Sequence, residues 1–172
     1  MRVNCRKAGI VFFLSIILFL FAFPLFGQTA DKLEALLNKQ VLNWVDAAVF
    51  VLEASEAEAV RIAGNSNPVL LSDPREAFRF AQEQKWLPSK AKPDDAVRLN
   101  GIALLLMRSF DLKGGIFYSM FKNPHYAYRE MLQAEVIRGN TDPGMPVSGQ
   151  ELLLLIGRIL TAKEQADLQG VQ

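Results

Sequence analysis

Cysteine and histidine are almost missing from this 172-residue chain: Cys5 and His125 are each alone of their kind. Cys5 lies before the apolar run of the N-terminal segment, whereas a lipid-modified signal cysteine would have to follow it. From residue 6 onward no disulfide and no thiolate metal site can form, so stability has to come from packing. His125 has no second imidazole, cysteine or carboxylate pair at metal-ligand spacing, which argues against a metal centre. The chain also lacks a Gly-x-Ser-x-Gly elbow that could make His125 part of a hydrolytic triad. Asp94 and Asp95 are adjacent, but neighbouring loop carboxylates point apart, and a Pro-Asp-Asp run reads as a turn or helix cap. Gly114-Gly115 and the glycines 139, 144 and 149 do not have the spacing of a phosphate loop or a dinucleotide fingerprint. The expectation is a protein that is not an enzyme and uses no cofactor and no metal.

An excess of positive charge is missing too. Residues 1–30 read as a signal peptide or N-terminal anchor, with Arg2, Arg6 and Lys7 ahead of an uncharged run from Ala8 to Phe26. That run is long for a signal core and near the length of a membrane span. Pro24 and the small or polar residues from Gly27 to Ala30 favour removal. Without the three basic residues of the leader, 16 Lys and Arg face 18 Asp and Glu, a net of −2. Such a balance offers nothing to nucleic acid or to an anionic surface. The positive-inside rule places residues 31–172 beyond the membrane, in the periplasm or cell envelope of a bacterium.

What the chain does contain is an internal repeat. Shifted by 50 residues, Asp73–Phe110 lies on Asn123–Leu160 without a gap, and eight of the 38 pairs are identical. These are Pro74/Pro124, Ala77/Ala127, Arg79/Arg129, Pro93/Pro143, Val97/Val147, Leu104/Leu154, Leu105/Leu155 and Arg108/Arg158. Ordinary composition would give about two or three. Asp73-Pro74 and Asn123-Pro124 each place a capping side chain before a proline at the first helical position. A loop rich in turn formers follows each helix, 87–96 and 138–146, and then a strongly apolar second helix. Ser148 and Glu151 have the spacing of a capping box. Both second helices are expected at the centre.

The expected fold class is all-α: repeated helix-loop-helix units plus a long N-terminal amphipathic helix. That helix is read from Asp31 to Ile62 on the stripe Leu33, Leu36, Leu37, Val41, Trp44, Val45, Ala48, Val49 and Leu52. The expected organisation is a helix over 31–66, a first unit over 67–110, a linker over 111–122, a second unit over 123–160 and a fraying polar tail over 161–172. In the linker, Phe117, Tyr118, Met120 and Phe121 read as a cover for the junction between units, the alternative being a ligand platform. Residues 31–72 show no comparable match at the same 50-residue offset.

The second unit presents Tyr126-Ala127, Val136-Ile137-Arg138-Gly139, the loop from Asn140 to Pro146, Val147-Ser148-Gly149-Gln150-Glu151, Leu154-Leu155 and Arg158. In this order and spacing it resembles the S-layer homology modules that hold bacterial exported proteins to the cell wall. The first unit is similar, with Trp86-Leu87-Pro88 at the turn and Val97 to Gly101 at the second helix start. The resemblance implies a body built from such modules and contact with an anionic wall polysaccharide. The arginine that serves this contact in the family is replaced by Leu99 and Gly149. The binding residues that the resemblance carries over are Arg98, Ser148, Glu151 and Gly139.

The functional expectation is an exported, non-enzymatic binding or structural module that contacts cell-wall polymer or an envelope protein. The alternative is an assembly or regulatory subunit that docks its long N-terminal helix on a membrane-protein partner. Contact with the membrane is expected only through residues 8–26, if the leader is kept. Mass spectrometry of the protein from cells checks the leader, the expected outcome being a mature N-terminus between residues 27 and 30.

Overall fold

A computed structural model describes residues 27–63, 73–139 and 141–169. The apolar run of the leader lies outside the described residues. Seven helices are present among them: α1 Gly27–Leu37, α2 Trp44–Ala63, α3 Pro74–Glu83, α4 Leu99–Ser109, α5 Ile116–Phe121, α6 Pro124–Gln133 and α7 Gly149–Gln169. The all-α class stands. The only pairing of extended backbone among the described residues is two isolated bridges, Asn43 to Ala96 and Arg98 to Pro146. None of the described helices is long and apolar enough to cross a membrane.

The chain divides into two bodies after Leu37. The first contains α1, an amphipathic helix with Leu36 buried and Leu33 and Leu37 exposed. The second body, from Asn38 onward, holds the main core.

One helix from Asp31 to Ile62 is not what forms. The stripe is interrupted at residues 38–43, and backbone hydrogen bonding explains why. Leu42 N donates to Val147 O at 2.9 Å, Val97 N donates to Leu42 O at 2.8 Å, and Val147 N donates to Val97 O at 3.0 Å. Three residues from distant parts of the chain thus close a ring, and each is completely buried. Leu42 cannot supply these groups and also continue a helical ladder. Asn43 then restarts the helix: its Oδ1 accepts from Asp46 N at 2.8 Å. Lys39 reaches the carboxylate of Asp46 beside it.

Each ring residue stands two positions before a helix, so the starts of α2, α4 and α7 meet. Helix α4 is the centre, with Leu99 and Gly101 through Met107 all buried. It packs most extensively against α6, while α2 packs most extensively against α3. Helix α7 departs from the expectation of a surrounded helix. Leu152, Leu155, Ile156 and Ile159 face the core, but Leu154 is 59 % exposed, although its 50-residue counterpart Leu104 is buried.

The helix starts read from Asp73-Pro74 and Asn123-Pro124 are present. Asp73 accepts from Arg75 N, and Asn123 from Tyr126 N. Both helices end in the same way. Trp86 N bonds Ala81 O and Lys85 N bonds Gln82 O; Val136 N bonds Met131 O and Glu135 N bonds Leu132 O. This double closure needs a left-handed residue, usually glycine. Here Lys85 (φ 58°) and Glu135 (φ 55°) fill it.

Two further segments differ from the expected organisation. The linker contains α5, and of its aromatic residues only Tyr118 is buried. The polar tail does not fray at Thr161, because α7 runs on to Gln169. Lys163 pins it, with Nζ donating to Phe110 O at 3.3 Å and lying 5.9 Å from the Phe110 ring centre.

A left-handed non-glycine residue costs about 1–2 kcal/mol. Lys85→Gly and Glu135→Gly are therefore each expected to raise unfolding free energy by roughly 1 kcal/mol, as measured by urea denaturation.

Candidate functional site

The ring sets up a groove where the start of α4 meets that of α2. Trp44, Pro88, Lys90, Asp95, Arg98 and Asn100 line a cavity of about 430 Å³ there. The groove keeps its shape because each helix start is capped by a carbonyl from another segment. Val45 N donates to Pro93 O at 3.2 Å, Asn100 N to Pro143 O at 2.9 Å, Leu99 N to Met145 O at 3.0 Å, and Gly149 N to Lys39 O at 3.0 Å. The first amides of a helix have no partner within it, so these carbonyls satisfy donors that would otherwise need water. The repeated pair Pro93/Pro143 thus has a structural task.

Arg98 precedes α4 in extended conformation and gives that helix no side-chain cap. Its Nη1 instead donates to Gly144 O at 2.7 Å, tying α4 to the loop before α7. The side chain is exposed and lines the groove. With Lys90 and Asp95 it gives the lining two cations and one carboxylate, and Asn100 adds an amide. This set can hydrogen-bond hydroxyls and hold a carboxylate or phosphate group. It contains no nucleophile paired with a base.

The other expected site residues do not gather at this groove. Ser148 Oγ accepts from Glu151 N at 3.2 Å at the start of α7. Burial raises the Glu151 carboxyl above its usual value, while the Ser148 backbone N–H and the Arg158 charge act in the opposite direction. These two residues form the capping box and explain one another. Gly139 is exposed, has φ 86° and has open space around its Cα. A left-handed turn requires it; no polar contact surrounds it. Of the four, only Arg98 lies in the groove.

Trp44, Lys90 and Asn100 were not singled out as site residues in the sequence. Trp44 fits the apolar stripe and is in fact buried, with its ring against Gly101. A Cβ on Gly101 would lie 2.8 Å from Trp44 Cη2 and 2.9 Å from Cζ2. The glycine is therefore where the indole fits. Among the described residues no group of three or more His, Cys, Asp or Glu could hold a metal ion.

Comparison of the chain with protein-family models, with curated proteins and with solved structures gives no match.

The packing at Gly101 predicts a cost for Gly101→Ala. The indole is in the core and cannot swing into solvent, so the added methyl should destabilise by about 1–3 kcal/mol. Urea denaturation measures the loss, and Trp fluorescence in the native state should shift as the ring is displaced.

Proposed function

We propose that this chain is an exported envelope module built from three helix-loop-helix units of the S-layer homology kind, and that it binds cell-wall polymer through the groove at Arg98. The carrying observation is the ring of Leu42, Val97 and Val147. Its donors and acceptors run in one cyclic order, and each member precedes a helix that is capped by a carbonyl from the segment whose ring residue donates to that member. Equivalent roles at three places are what a threefold repetition of one unit produces. The first copy stands 55 residues before the second, and the second 50 before the third. The difference in spacing accounts for the missing match over residues 31–72.

On this reading Asn43, Arg98 and Ser148 are equivalent, and so are Trp44, Leu99 and Gly149. The position that holds the ligand-binding arginine in S-layer homology modules is thus apolar or glycine in all three copies. Arg98 stands one residue earlier and supplies a cation to a groove that would otherwise hold only Lys90. An anionic or hydroxyl-rich polymer suits this lining. The module works as an attachment or structural element and does not turn its ligand over.

Docking of a free N-terminal helix on a membrane-protein partner has less support. The helix is broken at 38–43, and Ala47, Ala48, Val51 and Leu52 of α2 are already buried.

Protein lacking residues 1–26 should be retained on isolated peptidoglycan carrying its native secondary polymers and released by the free polymer. A charged hydrogen bond is worth about 1.5–3 kcal/mol, so Arg98→Ala should weaken retention by roughly tenfold or more. Retention that is absent, or that does not respond to Arg98→Ala, would count against the groove.

A further inference from the structure

A second cavity, of about 680 Å³, lies beneath α5 and is lined by Trp86, Arg108, Asp111, Lys113, Tyr118 and Lys122 among others. Two residues of this lining each hold a buried polar atom, Arg108 Nε and Tyr118 Oη, that has no hydrogen-bond partner among the described residues. Each can donate a hydrogen bond, and a buried donor without an acceptor costs about 1–3 kcal/mol. The 50-residue counterpart of Arg108 shows the contrast: Arg158 Nη1 donates to Val136 O at 2.8 Å. Tyr118 is only 4 % exposed, and burial raises its phenol above the usual value against the opposing charge of Arg108; Asp111 and Glu130 raise it further. Arg108, Lys113 and Lys122 outnumber Asp111 in the lining. Asp111 offsets only one of these three cations, so the lining keeps a net positive charge and two unpaired donors for an added anion with acceptor oxygens.

The other side of the same short helix is apolar. Ile116, Phe117, Met120 and Phe121 are 78, 64, 70 and 54 % exposed. They are held in place from below. The Tyr126 ring stacks on Phe117 at 5.8 Å and on Phe121 at 5.5 Å, and His125 meets Tyr126 edge-on at 5.2 Å. None of the four lines either cavity described above. They protrude, with exposed Lys113 and Lys122 at the two ends of the helix. An apolar projection framed by cations is the form that enters an anionic membrane surface, with its side chains reaching about 5–10 Å into the headgroup and acyl boundary.

We propose that α5 reads anionic phospholipid: Ile116, Phe117, Met120 and Phe121 enter the interface, and a headgroup phosphate is received by Arg108, Tyr118, Lys113 and Lys122. The inference is independent of the groove at Arg98. It gives the body from Asn38 onward its own hold on a membrane, whether or not the leader is kept.

The test uses the full chain with Cys5→Ser and a single cysteine at an exposed position, Met120→Cys or Lys90→Cys, carrying a polarity-sensitive fluorophore. Vesicles of phosphatidylcholine alone are compared with vesicles containing three parts in ten phosphatidylglycerol. The label at 120 should brighten and shift to shorter wavelength, more so with phosphatidylglycerol, while the label at 90 stays in water. Phe117→Ser with Phe121→Ser should abolish the response. Lys113→Gln with Lys122→Gln, or Tyr118→Phe, should remove the gain from phosphatidylglycerol and leave the response to phosphatidylcholine. Circular dichroism of each variant confirms that it is folded. The proposal is overturned if position 120 stays aqueous on both vesicles, or responds equally to both. It is equally overturned if glycerol phosphate alone produces the shift, which would mark a site for free phosphate esters. A shift that grows with protein concentration without lipid would assign the surface to a second copy of the chain and overturn it as well.

Discussion

Three backbone hydrogen bonds hold the second body of this protein in register: Leu42 to Val147, Val97 to Leu42 and Val147 to Val97. All three residues are completely buried, so each donor and acceptor must find its partner here. Opening one bond would leave a buried donor and a buried acceptor without water. The ring thus fixes where three helices begin. It also terminates the apolar stripe that otherwise runs from α1 into α2.

The crossed capping at the same end of the body has a related effect. A helix start that takes its acceptor from another segment cannot be completed until that segment has arrived. Pro93, Pro143, Met145 and Lys39 supply such carbonyls to α2, α4 and α7. Loops that composition marks only as irregular are therefore parts of the scaffold on their inner side. Their outer side carries Lys90, Asp95 and Arg98 along the lining of the groove. A rigid backbone with variable side chains above it is a common way to build a binding groove.

The body is not symmetric in what it does. Arg158 satisfies a turn carbonyl, whereas Arg108 lines a cavity beneath the short helix that follows α4 in the chain. Leu104 is covered by the packing of α4, and Leu154 is open to solvent. Similar local sequence has thus been put to different uses at different places. The aromatic residues of α5 make the same point: Tyr118 is buried, and its neighbours on the helix point outward.

The sequence by itself determined the helical class, the starts at Asp73-Pro74, Asn123-Pro124 and Ser148, and the common placement of Val97 and Val147 before a helix. These are local matters. A cap acts over two or three residues, and an apolar stripe over one or two turns, so the adjacent letters carry the information. Tertiary structure alone decided that the stripe breaks at 38–43, that Leu42 joins the two valines, that Trp44 and Asn100 share a groove with Arg98, and that the residues after Leu160 stay helical. The groove rests on Trp44 packed against Gly101 and the end of α7 on Lys163 meeting Phe110, while the first two outcomes rest on backbone amides and carbonyls brought together across 50 residues or more. Every residue but proline carries the same two groups, so no side chain announces which of them will meet.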